Sequence, residues 1–415
     1  MFAALMAGQD TSKGPFSGNR LATRPDLRVS SIAADHFSRL TKGGSMLGAL
    51  TIQRLLLKLK EVGASDLHIK VGVPPIVRVA SALHRVDAPN LDADDTKHLL
   101  KPIVPEHLRE TLEHDGGIDF SHHEGSEERF RCSIFKAGGG WHAAIRRVNP
   151  TIPDFNELHL PPIYEKIADE AHEGLVIVCG VTGSGKSSTL AAMIDHINEC
   201  RACNIITIED PVEYLFRPKK SFISQREIGI DVPDFPRALR AAVRQDPDVL
   251  MIGELRDRET MMAGIQAAET GHLVFCTLHT ADTTQSLARI LEFFPSHEHA
   301  FIRSALAAGL KAVMAQRLVP CVRKDIQRVP ATEVLLNTPT VEDAIREGED
   351  ENLPAIMHGS TSEGMHDFIT SLSRLVEEDY VDLKTAERYS PNVEALRSKV
   401  RGIEVKADLL VSRKK

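Results

Sequence analysis

From Ile52 onward, apolar residues recur at helical spacing: Leu55, Leu56 and Leu59 share one face, and Gly63 closes the helix they predict. The period then changes. Ser65-Asp66-Leu67-His68-Ile69-Lys70-Val71 alternates polar with apolar, as does much of Ile76-Val77-Arg78-Val79, with Gly72 and Pro74-Pro75 as the turn between two strands. Leu99, Leu100, Leu108 and Leu112 mark a helical stretch ending at Gly116-Gly117. Arg129 to Phe135 and Trp141 to Arg147 then predict a hairpin joined by Gly138-Gly139-Gly140. With Phe130, Cys132 and Ile134 turned inward against Trp141, Ala143 and Ile145, period-two alternation puts Arg131 and Arg146 on the opposite face. Two outward arginines fit a solvated strand face and a ligand-facing one equally well. Together these elements predict a small α/β domain over 46–148, preceded by a mobile extension, 1–45, rich in Gly, Ser, Thr, Lys and Arg.

Residues 149–162, with Pro150, Pro153, Pro161 and Pro162, read as a stiff linker. Beyond it, short unbroken apolar runs alternate with helical stripes. Leu175 to Cys179, Ile205 to Ile208, Val249 to Ile252 and Leu273 to Phe275 predict buried strands of a mainly parallel sheet flanked by helices, an α/β core over 163–320. Phe301, Ala305, Leu310, Val313 and Met314 suggest one long packed helix. Glu333-Val334-Leu335-Leu336 reads as a short strand, and Met365, Phe368, Ile369, Leu372, Leu375 and Val376 form a further apolar stripe. Region 321–401 is thus expected to be helical and 402–415 a charged tail.

A chain of 415 residues with 42% hydrophobic and 26% charged residues has room for two or three domains. Its net charge of −8 gives no overall attraction to nucleic acid, so no nucleic-acid partner is expected. No run approaches the eighteen or so apolar residues of a membrane span. The six cysteines are scattered; Cys200-Arg201-Ala202-Cys203 is a lone C-x-x-C with no second pair to complete a zinc set. A reducing cytoplasm fits this usage.

Between the Leu175–Cys179 run and the helical stretch from Thr189 lies Gly180-Val181-Thr182-Gly183-Ser184-Gly185-Lys186-Ser187, which matches G-x-x-x-x-G-K-[ST] at every fixed position. The order strand, glycine loop, helix is what the chemistry needs. Glycines let successive N–H groups point inward at phosphate oxygens, and the helix that follows aims its positive end at the same anion. Lys186 is expected to neutralise the β and γ phosphates, with the Ser187 hydroxyl on Mg²⁺ and Ser188 beside it. This implies a nucleoside triphosphatase.

Ligands of a parallel sheet sit beyond the carboxyl ends of its strands, so the residues ending those strands are the ones to inspect. Glu254 ends the Val249–Ile252 strand, where a carboxylate would hold Mg²⁺ or orient attacking water. Gly253 precedes it in place of an aspartate, so Glu209, ending the Ile205–Ile208 strand, is expected to share the work. His272 and His279 flank the strand from Leu273; a hydrogen-bonded structural role and a phosphate-sensing role are both open for each.

Five ordered segments resemble the secretion and pilus ATPases, and within them the retraction ATPases of type IV pili. They are Ala64 to Ile69, the phosphate loop, the aspartate box Ile208-Glu209-Asp210-Pro211-Val212-Glu213-Tyr214, Asp246 to Asp257, and the histidine box Thr270-Gly271-His272 to Thr280. The resemblance implies a homohexamer with a PAS-like amino-terminal domain and a RecA-like ATPase domain, ATP rather than GTP, and nucleotide between the domains. It assigns Arg131 and Arg146 to completing the site and adds weight to Glu209, His272 and His279. It also implies a cytoplasmic, peripheral motor on an inner-membrane pilus platform protein. The extension before Met46 is foreign to the pattern, and Val341 to Glu347 only loosely resembles the family's A-I-R-N-L-I-R-E retraction motif. Without a four-cysteine zinc insert or a larger amino-terminal module, retraction is favoured over assembly. An accessory retraction ATPase, a type IV secretion ATPase and a nucleotide-gated, non-motor adaptor are the alternatives.

Overall fold

Period-two burial organises the first of two β-sheets. In the computed structural model, which describes residues 50–402 apart from 80–81, 126–127 and 149–150, this sheet has six strands. They are β1 (Asp66–Ile69), β2 (Ile76–Val79), β3 (Ala82–Arg85), β4 (Gly117–Glu124), β5 (Glu128–Ala137) and β6 (Gly140–Arg147), in the order β3-β2-β1-β6-β5-β4. Phe130, Cys132, Ile134, Trp141, Ala143 and Ile145 are buried, whereas Arg131 and Arg146 are exposed, as the alternation predicts. The expected extension 1–45 and the tail beyond 402 lie outside the described residues.

Compactness divides the chain at a different place from the expected boundary at 148. One unit runs to Gly116 and takes in Ile134–Ala144; the other takes Gly117–Ser133 and everything from Ile145 onward. The first half of β5 belongs with the second unit because a buried ion pair, Arg129 with Glu227, ties it there. Nor is 151–162 a free-standing linker. Phe155 is buried in the second unit's core beside Tyr164, Ile167 and Met193, and Leu158 and Leu160 pack against the same cluster.

The second unit is built on a seven-stranded sheet: β7 (Gly174–Cys179), β8 (Asn204–Glu209), β9 (Phe222–Glu227), β10 (Val249–Ile252), β11 (Leu273–Leu278), β12 (Leu310–Pro320) and β13 (Arg328–Leu336). The order is β13-β12-β7-β11-β10-β8-β9, parallel throughout except for the antiparallel β12–β13 pair. Every residue of β7, β10 and β11 is buried, which is why these strands read as unbroken apolar runs.

The same effect misleads at Phe301–Met314. The helix there spans only His299–Gly309, and Leu310 begins β12, which pairs with β7. Ala312, Val313, Met314 and Ala315 are all buried, so a strand covered on both faces mimics a helical stripe. The region from 321 likewise opens with the nine-residue β13 before five α-helices and two short 3-10 turns follow between Pro339 and Val400. Among the described residues, no helix is long and apolar enough to cross a membrane.

Candidate functional site

Strand β7 delivers the chain into a turn only glycine accommodates. Gly180 has φ 152°, and a Cβ there would lie 2.6 Å from the Gln316 carbonyl oxygen and collide with the Ser184 hydroxyl. Gly185, at φ 94°, caps the helix Lys186–Cys200, so that helix's amino end opens onto the loop. Gln316, from β12 and only 1% exposed, locks the turn: its Nε2 donates to the Ser184 carbonyl (2.7 Å), and its Oε1 accepts from Thr189 Oγ1 (2.9 Å). Lys186 Nζ donates to the carbonyls of Gly180 (2.8 Å) and Val181 (3.3 Å). Burial pushes its ammonium below the usual lysine range, against the attraction of Glu254.

Beyond the carboxyl ends of β7, β8, β10 and β11 lies a cavity of about 570 Å³. Thr182, Gly183, Gly185, Lys186, Ser187 and Ser188 line it from the loop. Gly180 and Ser184 stand behind this wall as supports, the Ser184 hydroxyl buried without a hydrogen-bond partner. Ser188 Oγ is 2.7 Å from Tyr214 OH, which anchors the aspartate-box loop to the helix.

Glu209, Glu254 and His279 line the same cavity from three strand ends. Glu254 Oε1 lies 3.2 Å from His279 Nε2, and its Oε2 lies 2.6 Å from Arg256, whose other branch is 3.6 Å from Asp210. Glu209 is only 4% exposed; Thr207 Oγ1 (2.6 Å) and Gln225 Nε2 (3.1 Å) both donate to its Oε1. Desolvation still dominates and holds its carboxyl at about 6, well above the ordinary range. Ser187, Glu209 and Glu254 therefore supply oxygen donors alone, the set that suits Mg²⁺.

Arg131 reaches this cavity from β5. Two residues earlier on the strand, Arg129 makes its ion pair with Glu227 on β9, and Ser121 links the two: its Oγ accepts from Arg129 Nη2 (3.1 Å) and donates to Glu227 Oε1 (3.1 Å). Glu227 also accepts the Val212 N–H (3.3 Å), beside the cavity-lining Pro211 and Glu213. The strand presenting Arg131 and the aspartate-box loop are thus pinned to one buried carboxylate.

Arg146 and His272 are not brought to the cavity. Arg146 is exposed on β6, and His272 precedes β11 at the opposite edge of the sheet, about 20 Å from His279 at some 3.3 Å per residue. There His272 Nδ1 lies 3.0 Å from the carbonyl of Ala267, in the last turn of the helix Arg258–Glu269. Sequence reasoning gave no role of their own to Arg256 and Tyr214, which lie inside quoted motifs, and missed Gln316 and the Arg129–Glu227 pair. Gln316 was detectable as the polar break in an apolar run; the pair was not, because 98 residues separate its members.

Comparison with known proteins agrees with this geometry. Residues 50–361 match the family model described as Type II/IV secretion system protein. The type IV pilus retraction ATPase PilT of Pseudomonas aeruginosa is 36% identical over 81% of this chain and 97% of its own length. The type IV pilus ATPase PilU of the same organism is 38% identical over 88% of this chain and 95% of its own. A crystal structure of the pilus retraction motor PilT with bound ADP superimposes with a TM-score of 0.78 at 38% identity, covering 84% of this chain and 99% of that one. The fold is therefore that of the secretion ATPases, an amino-terminal domain and a RecA-like domain. With the phosphate loop, its lysine and the strand-end carboxylates gathered on one cavity, the chain belongs to the type II/IV secretion system protein family, as an ATPase similar to the pilus retraction motors.

Proposed function

We propose that the chain is the subunit of a homohexameric motor that hydrolyses ATP to drive type IV pilus retraction. The observation that carries this reading is the convergence of Lys186, Ser187, Glu209, Glu254 and Arg131 on one cavity. The loop amides and Lys186 bind the β and γ phosphates. Ser187 and Glu254 would hold Mg²⁺, which when bound neutralises phosphate charge. Glu209, held near 6, is ionised at neutral pH yet basic enough to accept a proton from attacking water, and His279 orients Glu254. Arg131 places its charge on the γ-phosphate, so cleavage depends on where β5 lies. Arg146, remote from this cavity, is assigned to the nucleotide of a neighbouring subunit, whereas His272 is assigned to closing the helix whose Ala267 carbonyl it meets.

Binding and release of γ-phosphate would rotate the domains, and the ring would pass that motion to an inner-membrane platform protein from the cytoplasmic face. Steady-state phosphate release tests the site. Lys186→Ala and Glu254→Ala should each lower turnover by at least about a hundredfold; near-native turnover in both removes the assignment. An accessory retraction role is the second reading, favoured by the PilU likeness across 88% of the chain. Restoration of twitching in a strain lacking only its main retraction ATPase separates the two.

A further inference from the structure

The outer face of the helix Lys186–Cys200 carries a second cluster of ligating side chains. Lys186 begins this helix and Cys200 ends it, so at 1.5 Å per residue the cluster lies about 20 Å from the phosphate-binding lysine. His196 and Cys200, four residues apart, share one helix face. Asp169 reaches the same point from the helix Ile163–Glu170. Asp169 Oδ1 is 2.7 Å from His196 Nε2, and Cys200 Sγ is 3.8 Å from that nitrogen. All three ligating atoms fall within 4.8 Å of one another.

The cluster is ordered and reachable. Phe155 packs on the imidazole, ring centroids 5.4 Å apart, which fixes the ring plane from the core side. Asp169 and Cys200 are exposed, and His196 is half-buried between them. The C-x-x-C spacing does not account for the arrangement, because Cys203 Sγ turns instead to Ser221 Oγ, 3.1 Å away. Cys200 is the cysteine that meets another ligand.

We propose that Asp169, His196 and Cys200 bind a zinc-class divalent cation, with water as the fourth ligand. The donor set decides the class: a thiolate, an imidazole and a carboxylate match zinc, whereas Mg²⁺ and Ca²⁺ take oxygen donors. A tetrahedral ion with bonds of about 2.0–2.3 Å spaces its donors roughly 3.3–3.6 Å apart. The Asp169–His196 pair would open by about 0.6 Å and the Cys200–His196 pair close by about 0.3 Å, small adjustments for surface side chains. Binding releases the Cys200 thiol proton to solvent, shifts the His196 proton from Nε2 to Nδ1 by way of solvent, and exchanges the Asp169–His196 hydrogen bond for two metal bonds. The ion then bridges two helices, one of which begins at Lys186, so occupancy stiffens the element behind the phosphate loop.

Cobalt spectroscopy on the full chain tests this, with Mg²⁺ and ADP in excess to fill the nucleotide cavity. Co²⁺ should produce a thiolate-to-cobalt charge-transfer band in the near ultraviolet, saturating at one ion per chain and abolished by Zn²⁺. Cys200→Ser should remove the band, His196→Ala should weaken Co²⁺ binding by at least about tenfold, and Cys203→Ser should change neither. A wild-type chain without the band, a band surviving Cys200→Ser, or a band lost in Cys203→Ser overturns the proposal.

Discussion

Replacing Glu209 with glutamine separates what this carboxylate does for chemistry from what it costs the fold. Burial holds its pKa at about 6 against an ordinary 4.5, despite hydrogen bonds from Thr207, Gln225 and the Glu213 backbone and the attraction of Arg129. A carboxyl group whose folded pKa is raised binds its proton more tightly when folded. Its contribution to stability is therefore fully present below the unfolded value and is lost as pH rises through the folded one. At roughly 1.4 kcal/mol per pH unit, the gap corresponds to about 2 kcal/mol lost between about pH 4.5 and 6.5. Glutamine carries no charge, and its side-chain oxygen can accept both hydrogen bonds that now reach Oε1, losing only the backbone hydrogen bond from Glu213. Glu209→Gln should thus match the wild type in stability near pH 4.5 and exceed it by about 2 kcal/mol at pH 7.5, roughly 3 °C in melting temperature for a unit of this size. Taking the difference between variant and wild type cancels the other carboxylates. Turnover should move the opposite way, falling on the order of a hundredfold, while wild-type turnover rises with an apparent midpoint near pH 6. Differential scanning fluorimetry and phosphate release, both run from pH 4.5 to 8, read the two effects. A variant no more stable at pH 7.5 than at pH 4.5 relative to wild type, or one that turns over normally, refutes the reasoning.

Two further substitutions probe the supports. Gln316→Ala removes both hydrogen bonds that fix the loop to β12 and leaves the Ser184 carbonyl and Thr189 hydroxyl unpaired; it should cost about 2–3 kcal/mol and raise the ATP KM more than it lowers kcat. Arg129→Ala strands the buried Glu227 carboxylate and should cost about 3–5 kcal/mol, whereas Arg129→Met with Glu227→Leu should recover most of that stability without restoring turnover. Denaturant melts alongside turnover distinguish these outcomes.

What could be read from the residues alone followed the range of the forces involved. The phosphate loop, the alternation of β5 and β6 and the strand-end carboxylates are local features, fixed within a few residues; the alternation appears as expected, and Lys186, Glu209 and Glu254 line one cavity while Gly180 and Ser184 stand behind it. Strand β12 reads as helix because a strand covered on both faces loses the two-residue period that identifies strands. The packing of Phe155 could not be read either, since prolines report stiffness and say nothing of the surface against which a segment lies. The contacts that organise the site at long range, Gln316 with Ser184 and Arg129 with Glu227, join residues 132 and 98 positions apart, so even where one member stands out, as Gln316 does in its apolar run, nothing local names its partner. The histidines show the same limit: His279 and His272 end and begin one stretch of chain, and only strand direction decides which of them meets Glu254.

The most direct test is a structure of the assembled protein with Mg²⁺ and a non-hydrolysable ATP analogue. The account predicts the triphosphate against the amides of Gly183 to Ser187, with Lys186 and Arg131 both in contact with the γ-phosphate and Glu209 facing its free side. Nucleotide bound elsewhere, or bound in the loop with Arg131 turned away from the γ-phosphate, contradicts it.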